Sequence, residues 1–249
     1  MSGHSKWSTI KRKKAATDAA RGKIFTKYIR EITLAARAGG ADPDANPRLR
    51  TAISGAKSVN MPVANIERAI QKGAGQLEGS TIEEVTYEGY GPHGVAILVE
   101  CATDNRNRAT GDVRHAFSKY GGNMAEAGAV SYLFKPRGIL HVGRDAGSED
   151  AVLEAALDAG AEDVVTLEDA FVVTTTVAQL EPVREALVAR GIVVQSAEAT
   201  KLASVTVPLG EKEAPSVLRL IDVLEDLDDV QKVHANLDVP DEVLAKLSR

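Results

Sequence analysis

From Lys23 onward apolar residues return at three- and four-residue steps: Ile24, Phe25, Tyr28, Ile29, Ile32, Ala35 and Ala36. That spacing predicts an amphipathic helix with Lys27, Arg30, Glu31 and Arg37 off its apolar stripe, and Gly39 with Gly40 stops it. Asn46 followed by Pro47 is an N-cap with proline at the first helical position. Leu49, Ala52, Ile53, Ala56 and Val59 continue at helical spacing behind it. A third short helix is predicted from Pro62 through Val63, Ile66 and Ile70 to Gly73, and three such helices should pack as a small bundle with their cations outside. Glycines at 73, 75 and 79 then mark a linker over 73–81.

Beyond the linker the period changes. Strands are predicted at 86–88 and 95–99 around the glycine-rich turn 89–94. A helix follows from about Asn107, ended by Gly121 and Gly122, with a strand at 129–134. Residues 137–199 read as strand 139–142, helix 149–158, strands 164–167 and 171–177, helix 180–189 and strand 192–196, which is the βαββαβ order of a ferredoxin-like unit. A strand at 203–207, a helix at 215–227 and a strand at 230–235 close the chain. The pieces at 94–135 and 202–237 would form a second ferredoxin-like unit with the first inserted in it. The expected class is therefore α+β: an N-terminal three-helix bundle (1–80), a discontinuous α/β domain (81–136 with 200–249) and an inserted acidic domain (137–199).

Charge changes this picture more than overall composition does. The 249 residues carry 30 Lys+Arg and 35 Asp+Glu, a formal net charge of −5. Residues 1–80, however, hold fifteen Lys+Arg against six acids, and the rest fifteen against twenty-nine. The first thirty residues contain nine cations (Lys6, Lys11, Arg12, Lys13, Lys14, Arg21, Lys23, Lys27 and Arg30) and one acid, Asp18. Such a segment either stays solvated or meets a polyanion, of which nucleic acid is the leading candidate. Trp7 sits among these cations, where its indole could stack on a base or pack beneath the bundle. Residues 145–169 hold nine acids and no Lys or Arg. That surface should point away from phosphates, toward solvent or a basic protein.

A single cysteine, Cys101, excludes an internal disulfide and fits a reducing compartment. There is no apolar signal region and no run near the ~18 apolar residues of a membrane span. The chain is thus expected to be cytoplasmic and soluble, with no membrane partner. Gly89, Gly91 and Gly94 fit the pattern GxGxxG, but the strand-like VAILVE after them serves a hairpin rather than a dinucleotide site. Asp42, Asp44 and Asn46 start like a calcium loop that Pro47 and Ile53 then break. The five histidines have no zinc spacing, and Cys101 reads as a small buried filler. No cofactor, metal or catalytic constellation is expected. A second, smaller basic patch runs through Asp104-Asn105-Arg106-Asn107-Arg108 with Arg114 and Lys119. Its helix N-terminus could meet a phosphate, or Asp104 or Asn105 could cap the helix while the arginines pair with nearby acids.

Several stretches resemble one family: GHSKW (3–7), RGKIFTKYIREI (21–32), NPRLRTAI (46–53), NMP (60–62), YEGYGP (87–92) and TDNRNR (103–108). They are similar to the YebC/PmpR family, which also includes the mitochondrial translational activator of cytochrome oxidase subunit one, and the resemblance covers essentially the whole chain. The chain departs from the pattern at His93, Ala125 and Ala129, where Gly or Ser is usual. The resemblance implies a helical domain followed by two α/β domains, in a cytoplasmic, non-enzymatic regulator of gene expression. Members are described as probable transcriptional regulators that bind DNA. A second description places them on the ribosome, against ribosomal or transfer RNA, as translation factors for proline-rich stretches. A small-ligand sensor built on the ferredoxin-like units is a third reading. The candidate nucleic-acid contacts are Lys6, Trp7, Lys11, Arg12, Lys13, Lys14, Arg21, Lys23, Lys27 and Arg30, with Arg48 and Arg50 of the second helix and Arg106 and Arg108 of the later patch.

Overall fold

A computed structural model describes residues 18–77, 81–167 and 170–247. The chain falls into two compact units, residues 1–134 with 203–249, and residues 135–202.

The first unit begins with three helices: α1 (Asp18–Gly39), α2 (Pro47–Ser58) and α3 (Val63–Gly73). Their apolar stripes meet in one cluster built on Ile32, Leu49, Met61 and Ile66 with several alanines. Asn46 ties the bundle together. Its Oδ1 accepts from Leu49 N at 3.1 Å to cap α2, while its Nδ2 donates to the carbonyls of Ala35 and Gly40, both at 2.8 Å. At Gly73 a Cβ would come within 2.4 Å of the Thr33 carbonyl. Only glycine lets α3 end this close to α1.

The α/β part of this unit starts with β1 (Glu83–Tyr90) and β2 (Ala96–Thr103), an antiparallel hairpin. Then come α4 (Arg106–Lys119) and the short edge strand β3 (Asn123–Ala125). After the second unit the chain returns with β8 (Val207–Pro208), α7 (Ala214–Asp226), β9 (Val230–Ala235), β10 (Leu237–Asp238) and α8 (Asp241–Leu247). The main sheet has the order β3-β1-β2-β9, antiparallel throughout. Helices α4 and α7 cover one face, burying Val113, Phe117, Leu220 and Ile221 against Ile97, Val99 and Cys101. The alternate β2 residues also find apolar cover, Leu98 against Val130 and Phe134, and Ala102 against Leu34 of α1. Burial on both faces is why β2 reads as a continuous apolar run.

The second unit contains most of β4 (Phe134–Gly143), then α5 (Glu149–Asp158), β5 (Asp163–Thr166), β6 (Ala170–Thr175), α6 (Leu180–Ala189) and most of β7 (Val194–Ala203). Its sheet order is β5-β6-β4-β7, the arrangement of a βαββαβ unit with helices packed on one face through Val152, Ala156, Val183 and Leu187. Part of the acidic run is paired within this unit: Arg190 meets Asp158 at 3.0 Å and Arg137 meets Glu162 at 2.7 Å.

The α+β class with N-terminal helices and antiparallel sheets is therefore as the sequence reads. Two strands are not. The segment expected as a strand at 129–134 is a turn, with Val130 and Phe134 buried and Tyr132, which would share their face in a strand, 71% exposed. Its amides do not enter a ladder but converge on a carboxylate. Glu88, itself buried, accepts from the backbone N–H groups of Gly128 at 2.8 Å, Val130 at 2.7 Å and Ser131 at 2.8 Å. The strand expected at 203–207 is likewise displaced: β7 ends at Ala203, Ser204 N anchors on the Leu133 carbonyl at 2.8 Å, and only Val207–Pro208 pairs, with β10. In the hairpin, His93 holds a left-handed φ of 61° and its ring meets Ser216 Oγ at 3.1 Å. The side chain anchors a conformation that glycine would adopt freely.

Burial pushes the Glu88 carboxyl upward, but the three backbone donors outweigh it and hold the group below the usual carboxylate range. A depressed folded-state value means that the ionised group stabilises the fold fully above the unfolded value, and that this contribution is lost as pH falls through the folded one. Glu88→Gln is expected to lower stability at pH 7 by roughly 1.5–3 kcal/mol. In urea titrations the gap from the parent should shrink as pH drops below about 4.3. A gap that stays constant down to pH 3 would show that the charge of Glu88 plays no part.

Candidate nucleic-acid interface

Helix α1 has two working faces. One carries Ile32 and Ala36 into the bundle core. The other presents Lys23, Lys27 and Arg30, at spacings that share a helix side, and all three reach the turn where α7 hands over to β9. Lys23 Nζ donates to the Asp226 carbonyl at 3.2 Å and lies 3.3 Å from its carboxylate. Lys27 Nζ donates to the Glu225 carbonyl at 3.0 Å. Arg30 donates to the Asp228 carbonyl and pairs with Asp229 Oδ1 at 3.1 Å. Cations suit this place, since the last carbonyls of α7 carry the negative end of its dipole.

Asp229 is buried and receives a second guanidinium. Arg108 approaches its carboxylate through Nε at 3.1 Å and Nη2 at 2.9 Å, and also pairs with Asp104 at 2.9 Å. The Asp229 hydrogen bonds, and then those of Asp104, hold the Arg108 guanidinium above its ordinary range. Asn105 caps α4, its Oδ1 accepting from Arg108 N at 3.1 Å. Two further links join the helices to the sheet. Arg48 bridges Glu31 at 2.8 Å and Glu84 at 2.7 Å, and these carboxylates, Glu31 first, raise its already high pKa against the cost of burial. Arg37 donates to the Ile82 carbonyl at 2.6 Å. Beneath the joint lies Cys101, its thiol pushed up to about 12, first by burial and then by the charge of Asp229. A thiol in that state is a poor nucleophile at neutral pH.

Of the residues that the sequence marks as nucleic-acid contacts, the structure thus brings Lys23, Lys27, Arg30 and Arg108 together around one acidic turn, and sets Arg48 between two acids. Arg50 donates to the Asp44 carbonyl at 3.3 Å, and Arg106 is exposed in the first turn of α4. Arg21 lies within α1. Lys6, Trp7, Lys11, Arg12, Lys13 and Lys14 fall outside the described residues. Three cations that sequence reasoning passed over also belong to the bundle: Lys57 in the last turn of α2, and Arg68 and Lys72 on α3. The signal for Arg68 was present, since it lies off the stripe of Ile66, Ala69 and Gly73 that α3 buries.

The GxGxxG glycines occupy the β1–β2 hairpin, where no helix N-terminus follows to receive a pyrophosphate. Among the described residues there is no group of three metal-ligating side chains, and no helix long and apolar enough to cross a membrane.

A basic three-helix bundle latched by ion pairs onto an antiparallel sheet, with a βαββαβ unit between that sheet's strands in sequence, defines an α+β architecture shared by a recognisable group. The chain belongs to the TACO1/YebC family. Residues 5–76 match its description "TACO1/YebC protein N-terminal domain" and residues 82–237 match "TACO1/YebC second and third domain". Relatives named probable transcriptional regulatory proteins include one from Sulfurihydrogenibium sp., 54% identical over 249 residues and 99% of each chain. Another, from Desulfosudis oleivorans, is 56% identical over 243 residues, 98% of this chain and 99% of the relative. A crystal structure of a conserved hypothetical protein from Aquifex aeolicus, 50% identical, matches with a TM-score of 0.84 over 91% of this chain and 94% of that one.

Removing the Asp229 carboxylate takes the shared anion from Arg30, whose side chain is only 17% exposed, and from the half-exposed Arg108. Asp229→Ala is expected to cost about 3 kcal/mol. Lys23→Ala, which removes an exposed pair, should cost less than about 1 kcal/mol. Urea denaturation of the two variants checks the ranking, and equal losses would contradict it.

Proposed function

We propose that the protein is a non-enzymatic, nucleic-acid-binding regulator of gene expression that acts in the cytoplasm, with DNA as its first target. The observation that carries this reading is the charge split: fifteen Lys+Arg against six acids in residues 1–80 of a chain that is otherwise strongly acidic. Cations concentrated at one end neutralise phosphates and release counterions, while the acidic remainder is repelled and fixes which side faces the polymer. The names of the relatives, probable transcriptional regulatory proteins, point the same way.

One observation favours RNA as a second reading. Residues 1–45 contain no Asn or Gln, the side chains that read adenine in the major groove. A segment with charge and few base readers suits the shape-directed recognition of folded ribosomal or transfer RNA.

With about six phosphates neutralised, log K for a 30-base-pair duplex should fall with log salt at a slope near −5. Replacing Lys11, Arg12, Lys13 and Lys14 together by Ala should flatten that slope by about 3 to 4. Fluorescence anisotropy between 50 and 200 mM salt measures both. Salt-independent binding would refute the proposal. Under the RNA reading the parent instead sediments with large ribosomal subunits, and the fourfold variant does not.

A further inference from the structure

Lys23, Lys27 and Arg30 of α1 are poor candidates for the bundle's contact with a polyanion, because the turn at 225–229 already answers them. Lys23, Lys27 and Arg30 face backbone carbonyls and the carboxylates of Asp226 and Asp229. A cation neutralised within its own chain has no phosphate to neutralise and few counterions to release. Helices α2 and α3 differ. Lys57 and Arg68 are exposed and Lys72 is half-buried at the surface. Among the described residues none of the three has a carboxylate within ion-pair distance.

Placement strengthens the contrast. Arg68 and Lys72 are one turn apart on α3. Lys57 lies seven residues beyond Arg50 on α2, so these two share a side of that helix. Arg50 Nε is buried and has no acceptor among the described residues. Glu67 is the one acid within α2 and α3. Beside the cations, Asn65 and Gln71 of α3 are exposed, the hydrogen-bonding side chains that residues 1–45 lack. The turn before α3 puts Asn60 at a left-handed φ of 58°.

We infer that the outward faces of α2 and α3, through Lys57, Arg68 and Lys72, are the bundle's landing surface for the phosphate backbone of a nucleic acid, and that the basic side of α1 is a structural latch. The inference rests on the nucleic-acid reading above and adds where the bundle meets the polymer. Its occupant is a phosphodiester chain because the surface offers point charges that no described carboxylate neutralises, with exposed amide side chains beside them.

The test compares two full-length variants with the parent on a 30-base-pair DNA duplex and on a 30-nucleotide RNA hairpin. Lys57→Ala/Arg68→Ala/Lys72→Ala removes the proposed surface. Lys23→Ala/Lys27→Ala removes latch cations. Thermal unfolding confirms that the triple variant is folded, as expected for surface changes. On whichever probe the parent binds, the triple variant should flatten the log K against log salt slope by about 2 to 3 and raise Kd about tenfold or more at 100 mM salt. The double variant should keep the parental slope. A triple variant with the parental slope, or a double variant that loses as much slope, overturns the assignment. If the Lys11 to Lys14 replacement still weakens binding in that case, the nucleic-acid reading survives its loss. A parent that binds neither probe overturns both.

Discussion

The buried carboxylate of Asp229, held between Arg30 of α1 and Arg108 of α4, is the constraint around which the first unit is organised. A buried anion is tolerable only with its charge answered and its lone pairs occupied. Here two guanidiniums from separate parts of the chain meet that need at 3.1 and 2.9 Å. Satisfying it fixes where α1 lies relative to the end of α7 and the start of β9. Leu34 then reaches Ile82 and Ala102, and Arg48 falls between Glu31 and Glu84. Ion pairs at the rim of such a joint contribute little energy each. Together with the apolar contact of Leu34 on Ile82 and Ala102, they set which groups meet across it.

This latch changes the meaning of the charge split. A chain basic at its front and acidic behind suggests a partner for the front, yet part of the front's charge is spent on the acidic turn of its own body. Charge count alone therefore overstates the surface available to a polyanion. Among the described residues, what this leaves for a partner is the set of α2 and α3 cations with no carboxylate in ion-pair distance, Lys57, Arg68 and Lys72. Glu88 shows the same economy elsewhere in the unit: one carboxylate collects three backbone amides and shapes a turn that apolar packing alone would leave undefined.

The helices were legible because a 3.6-residue period survives in any local window, and Asn46-Pro47 announces its cap. The βαββαβ unit was legible because its elements alternate in order. What escaped had nonlocal causes. The run at 129–134 carries a strand's composition, but its amides answer to Glu88, some forty residues upstream. Arg108 was readable as a phosphate ligand or a capping-region ion pair. Nothing near it in sequence announces Asp229, 121 residues away. Lys23, Lys27 and Arg30 are the same case across 198 residues and more. A helical wheel shows which side of α1 is basic, but it does not show that an acidic turn is waiting for that side. Arg68 and Lys72 were overlooked for the opposite reason, since isolated cations on a short helix draw less notice than a run of four.

The most direct test of the latch is a double-mutant cycle between Arg30 and Asp229, using Arg30→Met, Asp229→Asn and the pair together, with unfolding free energies from urea titration. A coupling energy of at least about 1 kcal/mol is predicted, since each partner's cost depends on the other. Single-variant losses that add within about 0.3 kcal/mol would show that the two groups are neighbours without being a joint.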